Sequence, residues 1–197
     1  VAGPEKQLRD LFRRVFGPPE PPPPMAELVG RLDAWLARNR ADYYARLRPG
    51  LSHAAWLDFE SQLGVKLPDA FRVLYQWRDG QGDTFDSFHG NRQWMPAEDI
   101  GRVKTLMDGM IGYDFEPGWW DPNWVPFLEN GAGSYLCVDV AGPEPGRLVE
   151  FWNRDHDRPE IAPSLEWWTY KFVTSLERDR WERTKVGFEC VEARDGE

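Results

Sequence analysis

The sequence predicts an α+β fold with a mostly antiparallel sheet flanked by helices, and three observations predict it. Up to Gly80, apolar residues recur at helical spacing between proline and glycine stops. After Gly80 the texture changes to short apolar runs between turn residues, which read as strands. One helix interrupts those runs and another closes the set, so the chain lacks the strict alternation of a doubly wound βαβ array. At 197 residues it is long enough for a real core and too short for a second full-sized domain. With 41% hydrophobic and 14% aromatic residues, the disorder signature is absent from the main body.

In order along the chain, Leu8, Leu11, Phe12, Val15 and Phe16 share one helix face, and Gly17-Pro18-Pro19 ends that extra N-terminal helix. Residues 18–24 (PPEPPPP) form a proline run that reads as an extended polyproline II spacer, with recruitment of a proline-reading domain as the alternative. Residues 1–24 therefore form a helix plus spacer, and residues 25–197 the folded domain. From Met25, Leu28, Leu32, Trp35 and Leu36, then Tyr43, Tyr44 and Leu47, predict a long helix or a helix pair closed by Pro49-Gly50. Ser52 caps a helix that buries Trp56, Leu57, Phe59 and Leu63 and stops at Gly64. Pro68-Asp69 starts another with Phe71, Leu74, Tyr75 and Trp77, left through a tight turn at Asp79-Gly80 that needs a positive φ. Strands are expected at Thr84 to Phe88, Trp124 to Leu128, Ser134 to Val140, Gly146 to Phe151 and Pro159 to Ile161. A helix from Pro96 to about Met110 buries Ile100, Val103, Leu106 and Met107. A final helix runs from Pro163-Ser164 to about Trp181, and Lys185 to Val191 adds an edge strand.

Charge and cysteine content narrow the function. Lys plus Arg total 24 against 33 Asp plus Glu, a net charge of −9 that disfavours nucleic acid or an anionic membrane and suits a basic protein partner. Cys137 and Cys190 form no CxxC or Cys/His cluster, so neither a disulfide scaffold nor a zinc site is indicated. Cys137, in the apolar run Tyr135-Leu136-Cys137-Val138, reads as a small hydrophobe. No stretch approaches the roughly 18 apolar residues of a membrane span, and the start lacks a signal-peptide plan, so a cytoplasmic location is expected.

Three blocks then carry a family resemblance. Leu63-Gly64-Val65-Lys66-Leu67-Pro68-Asp69-Ala70-Phe71-Arg72-Val73-Leu74-Tyr75 leads to Asp79-Gly80-Gln81. Trp124-Val125-Pro126-Phe127-Leu128 is followed by Gly131-Ala132-Gly133 and Tyr135-Leu136-Cys137-Val138-Asp139. Gly146-Arg147-Leu148-Val149-Glu150-Phe151-Trp152 precedes Ala162-Pro163-Ser164-Leu165. In this order, over about residues 27–182, they resemble the SUKH superfamily of yeast cell-wall assembly regulators and bacterial immunity proteins. The resemblance implies a binding fold with no cofactor and no catalytic set. Many bacterial members resemble proteins that bind and block a cognate toxin, whereas the yeast members are regulators. The N-terminal helix, the spacer and the stretch Tyr113 to Asp121 depart from the shared core.

Catalytic signals are weak by comparison. Asn153-Arg154-Asp155-His156-Asp157-Arg158 sets a histidine among carboxylates, but adjacent loop residues rarely converge on one ion, so a polar turn or a partner-contact loop is expected and no metal. Asp139 and Glu150 on neighbouring strands are an imaginable acid pair; the alternative ends a strand at Asp139 and puts Glu150 on the solvent face. There is no GxSxG or GxxxxGK[ST] pattern. The expected function is therefore non-catalytic neutralisation of a protein toxin, with a regulatory scaffold as the alternative and a small hydrolase last. Expected contacts are Asp83 and Asp86, then Asp114, Glu116, Trp119, Trp120 and Asp121, then Asp155, His156 and Asp157. Carboxylates would pair with Arg and Lys, and exposed tryptophan would anchor the centre. Trp119 and Trp120 either plug the core or await a partner.

Overall fold

A computed structural model describes residues 21–141 and 145–191. The helix read at Leu8 to Phe16 and the start of the proline run lie outside the described residues. Helix α1 (Met25–Asn39) buries Met25, Leu28, Val29, Leu32 and Leu36 on one face. It breaks at Arg40, whose guanidinium turns inward to pair with Asp86 at 3.0 Å and donates to the Ser87 carbonyl at 2.9 Å. A short α2 (Ala41–Tyr44) follows, so the helix pair ends before Pro49-Gly50 and Leu47–Pro49 forms strand β1.

Local capping sets the next two helices. In α3 (His53–Leu63) the Ser52 hydroxyl accepts from Ala55 N–H at 3.2 Å, and Gly64 closes the helix at φ 66°. Leu57, expected inside, is 50% exposed because Trp56 and Phe59 already supply the buried face. Helix α4 (Asp69–Trp77) starts after Pro68 and buries Ala70, Phe71, Leu74 and Tyr75. The chain then continues as strand β2 (Arg78–Gln81), paired antiparallel with β1, so Asp79-Gly80 lies in a strand and not a tight turn. Gly80 keeps the expected positive φ of 68°, and a Cβ there would meet the Pro96 nitrogen at 2.5 Å and the Met95 carbonyl carbon at 2.6 Å. Gly80→Ala is accordingly expected to cost about 2–4 kcal/mol from the left-handed backbone and the clash together, read as a shifted urea midpoint.

Residues 84–88 are not a strand. Their backbone groups are taken by side chains: Gln81 Nε2 donates to the Thr84 and Asp86 carbonyls, and Asp86 N–H donates to the Thr84 hydroxyl. The main sheet is antiparallel and five-stranded, in the order β3 (Gln93–Trp94), β4 (Trp124–Glu129), β5 (Tyr135–Asp139), β6 (Leu148–Phe151), β7 (Glu160–Ala162). All five residues of β5 are buried, so both faces are covered. On one face Phe127 stands edge-on to Phe71 of α4 and to Trp168 of α6 (Leu165–Glu177). On the other, Trp120 from the segment following α5 (Ala97–Gly109) stands edge-on to Trp124 and Phe151.

Two helix predictions need correction. In α5, Leu106 is 60% exposed and Lys104 is buried in its place, because Lys104 Nζ finds Asp108 and the Pro122 carbonyl. Helix α6, capped by the Ser164 hydroxyl, ends at Glu177 and not near Trp181, since Asp179 takes a positive φ of 53°. Trp181 instead opens a hairpin of β8 (Trp181–Arg183) and β9 (Phe188–Cys190), which realises the expected edge strand. Both cysteines are free, Cys137 buried and Cys190 exposed, and burial pushes the Cys137 thiol well up from its ordinary pKa.

Candidate protein-interaction face

The strand register separates the carboxylates that had suggested hydrolysis. Leu136 lies opposite Glu150 and Val138 opposite Leu148, so Glu150 shares a face with Leu136 and Val138 while Asp139 points to the other. Asp139 ends its strand and accepts from Arg147 at 2.8 Å. Glu150 is buried and ion-paired with Arg92, which corrects its expected place on the solvent face. Burial raises the Glu150 pKa despite that arginine. Among the described residues, no group of three or more His, Cys, Asp and Glu side chains is placed to hold a metal ion. No described helix is long and apolar enough to cross a membrane.

Two connections come together at one side of the sheet: the segment 110–123, between α5 and β4, and the loop 152–159, between β6 and β7. Arg158 clamps them. Its guanidinium lies 4.5 Å from the Phe151 ring centroid and 5.0 Å from that of Trp119, and Nη2 donates to the Trp119 carbonyl at 2.9 Å. The His156 ring stands edge-on to Trp119 at 4.5 Å. Beneath, Trp120 Nε1 donates to Asp108 at 2.7 Å, and Lys104 Nζ binds the same carboxylate at 2.6 Å, so the segment is stapled to α5.

The expected contact residues divide on this frame. Asp114, Glu116, Asp155, His156 and Asp157 are exposed; the His156 ring touches the partly buried Trp119, and the Asp155 and Asp157 carbonyls accept from Arg158. Trp120, at 4% exposure, plugs the core and is no partner anchor, because Asp108 draws its indole inward. Asp121 is partly buried, and its carboxylate accepts from the Asn123 backbone and side chain in a local turn. Asp86 is withdrawn from any partner by Arg40 and Arg183. Asp83 is exposed in a loop apart from this face, beside Phe85 at 95% exposure. Sequence reasoning missed Tyr113 at 90% exposure, Ile111 at 44% and Trp152 at 44%. The available signal for Tyr113 was its position just after Gly112, whose φ of 74° turns the chain outward from the helix end.

Exposed aromatics and carboxylates on two connected loops of an α+β domain have the form of a protein-interaction surface. The SMI1 / KNR4 family (SUKH-1) matches residues 50–170, and the chain belongs to that family. Domains of this family are protein-interaction modules, and the family is generally non-catalytic. The chain is also similar to KNR4/SMI1 homolog 2 of Debaryomyces hansenii, 24% identical over 230 residues that take in 88% of this chain. It spans 38% of that relative's length.

Proposed function

We propose that this chain is a non-catalytic bacterial immunity protein, acting in the cytoplasm, that binds and neutralises a cognate basic protein toxin through the face formed by segments 110–123 and 152–159. The observation that carries the reading is that exposed Ile111, Tyr113 and Trp152 and exposed Asp114, Glu116, Asp155 and Asp157 lie on two segments that Arg158 joins. Aromatic anchors supply buried contact area, surrounding carboxylates steer a cationic partner, and a pre-formed clamp lowers the ordering cost of binding. A net charge of −9 favours the same partner.

The experiment compares capture by the wild-type chain with capture by a face variant carrying Tyr113→Ala, Asp114→Lys, Asp155→Lys and Asp157→Lys, in lysate of the source organism at moderate salt. One basic toxin-domain protein held at near-stoichiometric amount is expected with the wild type, with affinity lowered about a hundredfold in the face variant. The similarity to a yeast KNR4/SMI1 homologue favours a second reading, a regulatory scaffold that recruits partners through its N-terminal helix and proline run. Deleting residues 1–24 separates the two: the toxin reading keeps its partner, and the scaffold loses it.

A further inference from the structure

The C-terminal hairpin β8–β9 lies beyond the family-matched residues 50–170, yet it covers an aromatic bed on the domain. Among the described residues its backbone meets the body at one reciprocal bridge: Gly90 N–H donates to Phe188 O at 2.7 Å, and Phe188 N–H donates to Gly90 O at 2.8 Å. Side chains do the rest. Phe188 lies 6.1 Å from Trp35 and under the Arg40 guanidinium, Trp181 lies 4.9 Å from Phe172, and Arg183 pairs with Asp86. Strands of three residues do not hold a hairpin together without such packing.

His89 sits at the centre of the contact. Its ring is 4.7 Å from Trp181 of the hairpin and 4.9 Å and 5.0 Å from Trp168 and Phe172 of α6, and its Nδ1 is sealed from solvent without a hydrogen-bond partner. Among the described residues, no carboxylate hydrogen-bonds to or pairs with this ring. Arg92, on the same turn, holds Glu150; Arg40 and Arg183 hold Asp86; Arg31 holds Glu177 on α6. On the hairpin, Glu189 accepts from the Thr184 hydroxyl, while Glu182 and, on α6, Lys171 are exposed. Burial, with repulsion from Arg92, lowers the His89 pKa from 6.5 to about 3.

We propose that the hairpin is a releasable strap, latched by the neutral imidazole of His89 and freed when that ring takes up a proton. With the strap lifted, the ring, partly buried in the closed form with its Nδ1 sealed, is opened fully to water and regains its ordinary affinity for protons. The open form therefore binds more protons between about pH 6.5 and pH 3, and the latch, complete above that window, weakens as pH falls through it. Release uncovers Trp168, Phe172 and Trp35, together with Arg40, whose Nε and Nη1 lack hydrogen-bond partners.

Amide hydrogen exchange of the full chain, corrected for the intrinsic pH dependence, tests this. Opening at residues 181–190 is expected to rise about ten- to a hundredfold between pH 7.5 and 4.5, while Leu136 to Val138 stay protected. His89→Phe keeps an aromatic ring and removes the proton site, so its hairpin should show the same opening at both pH values; His89→Gln carries the comparison if that variant does not fold. Three results overturn the proposal: a wild-type hairpin indifferent to pH, equal acid sensitivity in the variant, or simultaneous loss of protection across β5.

Discussion

Trp94→Ala is expected to lower the stability of the domain by about 3–5 kcal/mol, a large share of the roughly 5–15 kcal/mol that holds a domain of this size together. Trp94 is fully buried, and three aromatic rings define its site. It is stacked with Phe88 at 5.0 Å and Trp77 at 5.6 Å, and stands edge-on to Tyr75 at 5.7 Å. Its indole N–H donates to the Tyr75 hydroxyl at 3.1 Å, which in turn donates to the Met95 carbonyl at 2.8 Å. Alanine leaves a cavity that rings fixed on strands and helices cannot fill, and strips the Tyr75 oxygen of its donor. The backbone contact from Trp94 N–H to Gln81 Oε1 survives, so the 84–88 loop should keep its form. Urea unfolding reports the loss as a lower midpoint at unchanged slope; a change below about 1 kcal/mol would mean that the core repacks freely.

Lys104→Met should both destabilise the protein and weaken partner binding, although Lys104 is buried beyond the reach of any partner. The ammonium joins Asp108, at 2.6 Å, to the Pro122 carbonyl, at 2.5 Å, and Asp108 also accepts from Trp120. Methionine preserves the length of the side chain and removes every donor. Asp108 and the Pro122 carbonyl then lose their shared cation, at a cost of about 2–4 kcal/mol. Segment 110–123 loses one of its two side-chain links to α5, keeping the Trp120 bond to Asp108, and Tyr113, Asp114 and Trp119 are held less firmly. Faster hydrogen exchange across 110–123 and a weaker partner complex are the expected readouts. A variant that loses stability while keeping full affinity would show that this segment is not the binding surface.

What could be read from the sequence follows the range of the chemistry involved. The boundaries at Ser52, Gly64, Pro68 and Ser164 are set within a few residues by capping hydroxyls, a positive φ or a proline ring, and all four are visible in one dimension. Strands β1 and β2 are not, because Leu47 and Gln81 become strand residues only by facing each other. Gly80 announced its backbone conformation but not the crowding by Met95 and Pro96 that makes it necessary. For the candidate site, residue type was informative and exposure was not. Trp119 and Trp120 are neighbours of the same type, and only the distant Asp108 decides which turns inward. Asp86 looked like a free acid until Arg40 and Arg183 were seen to hold it. The family could be recognised because its blocks record turns and core positions, which report fold and leave the binding surface open.

The most direct test of the binding face is a calorimetric titration of the captured partner into the wild-type chain and into the Tyr113→Ala, Asp114→Lys, Asp155→Lys, Asp157→Lys variant, after matched unfolding curves establish that both are folded. The face described here predicts a tight one-to-one complex with the wild type and about a hundredfold weaker binding by the variant. Equal affinities for the two proteins would contradict it and place the partner on another surface of the domain.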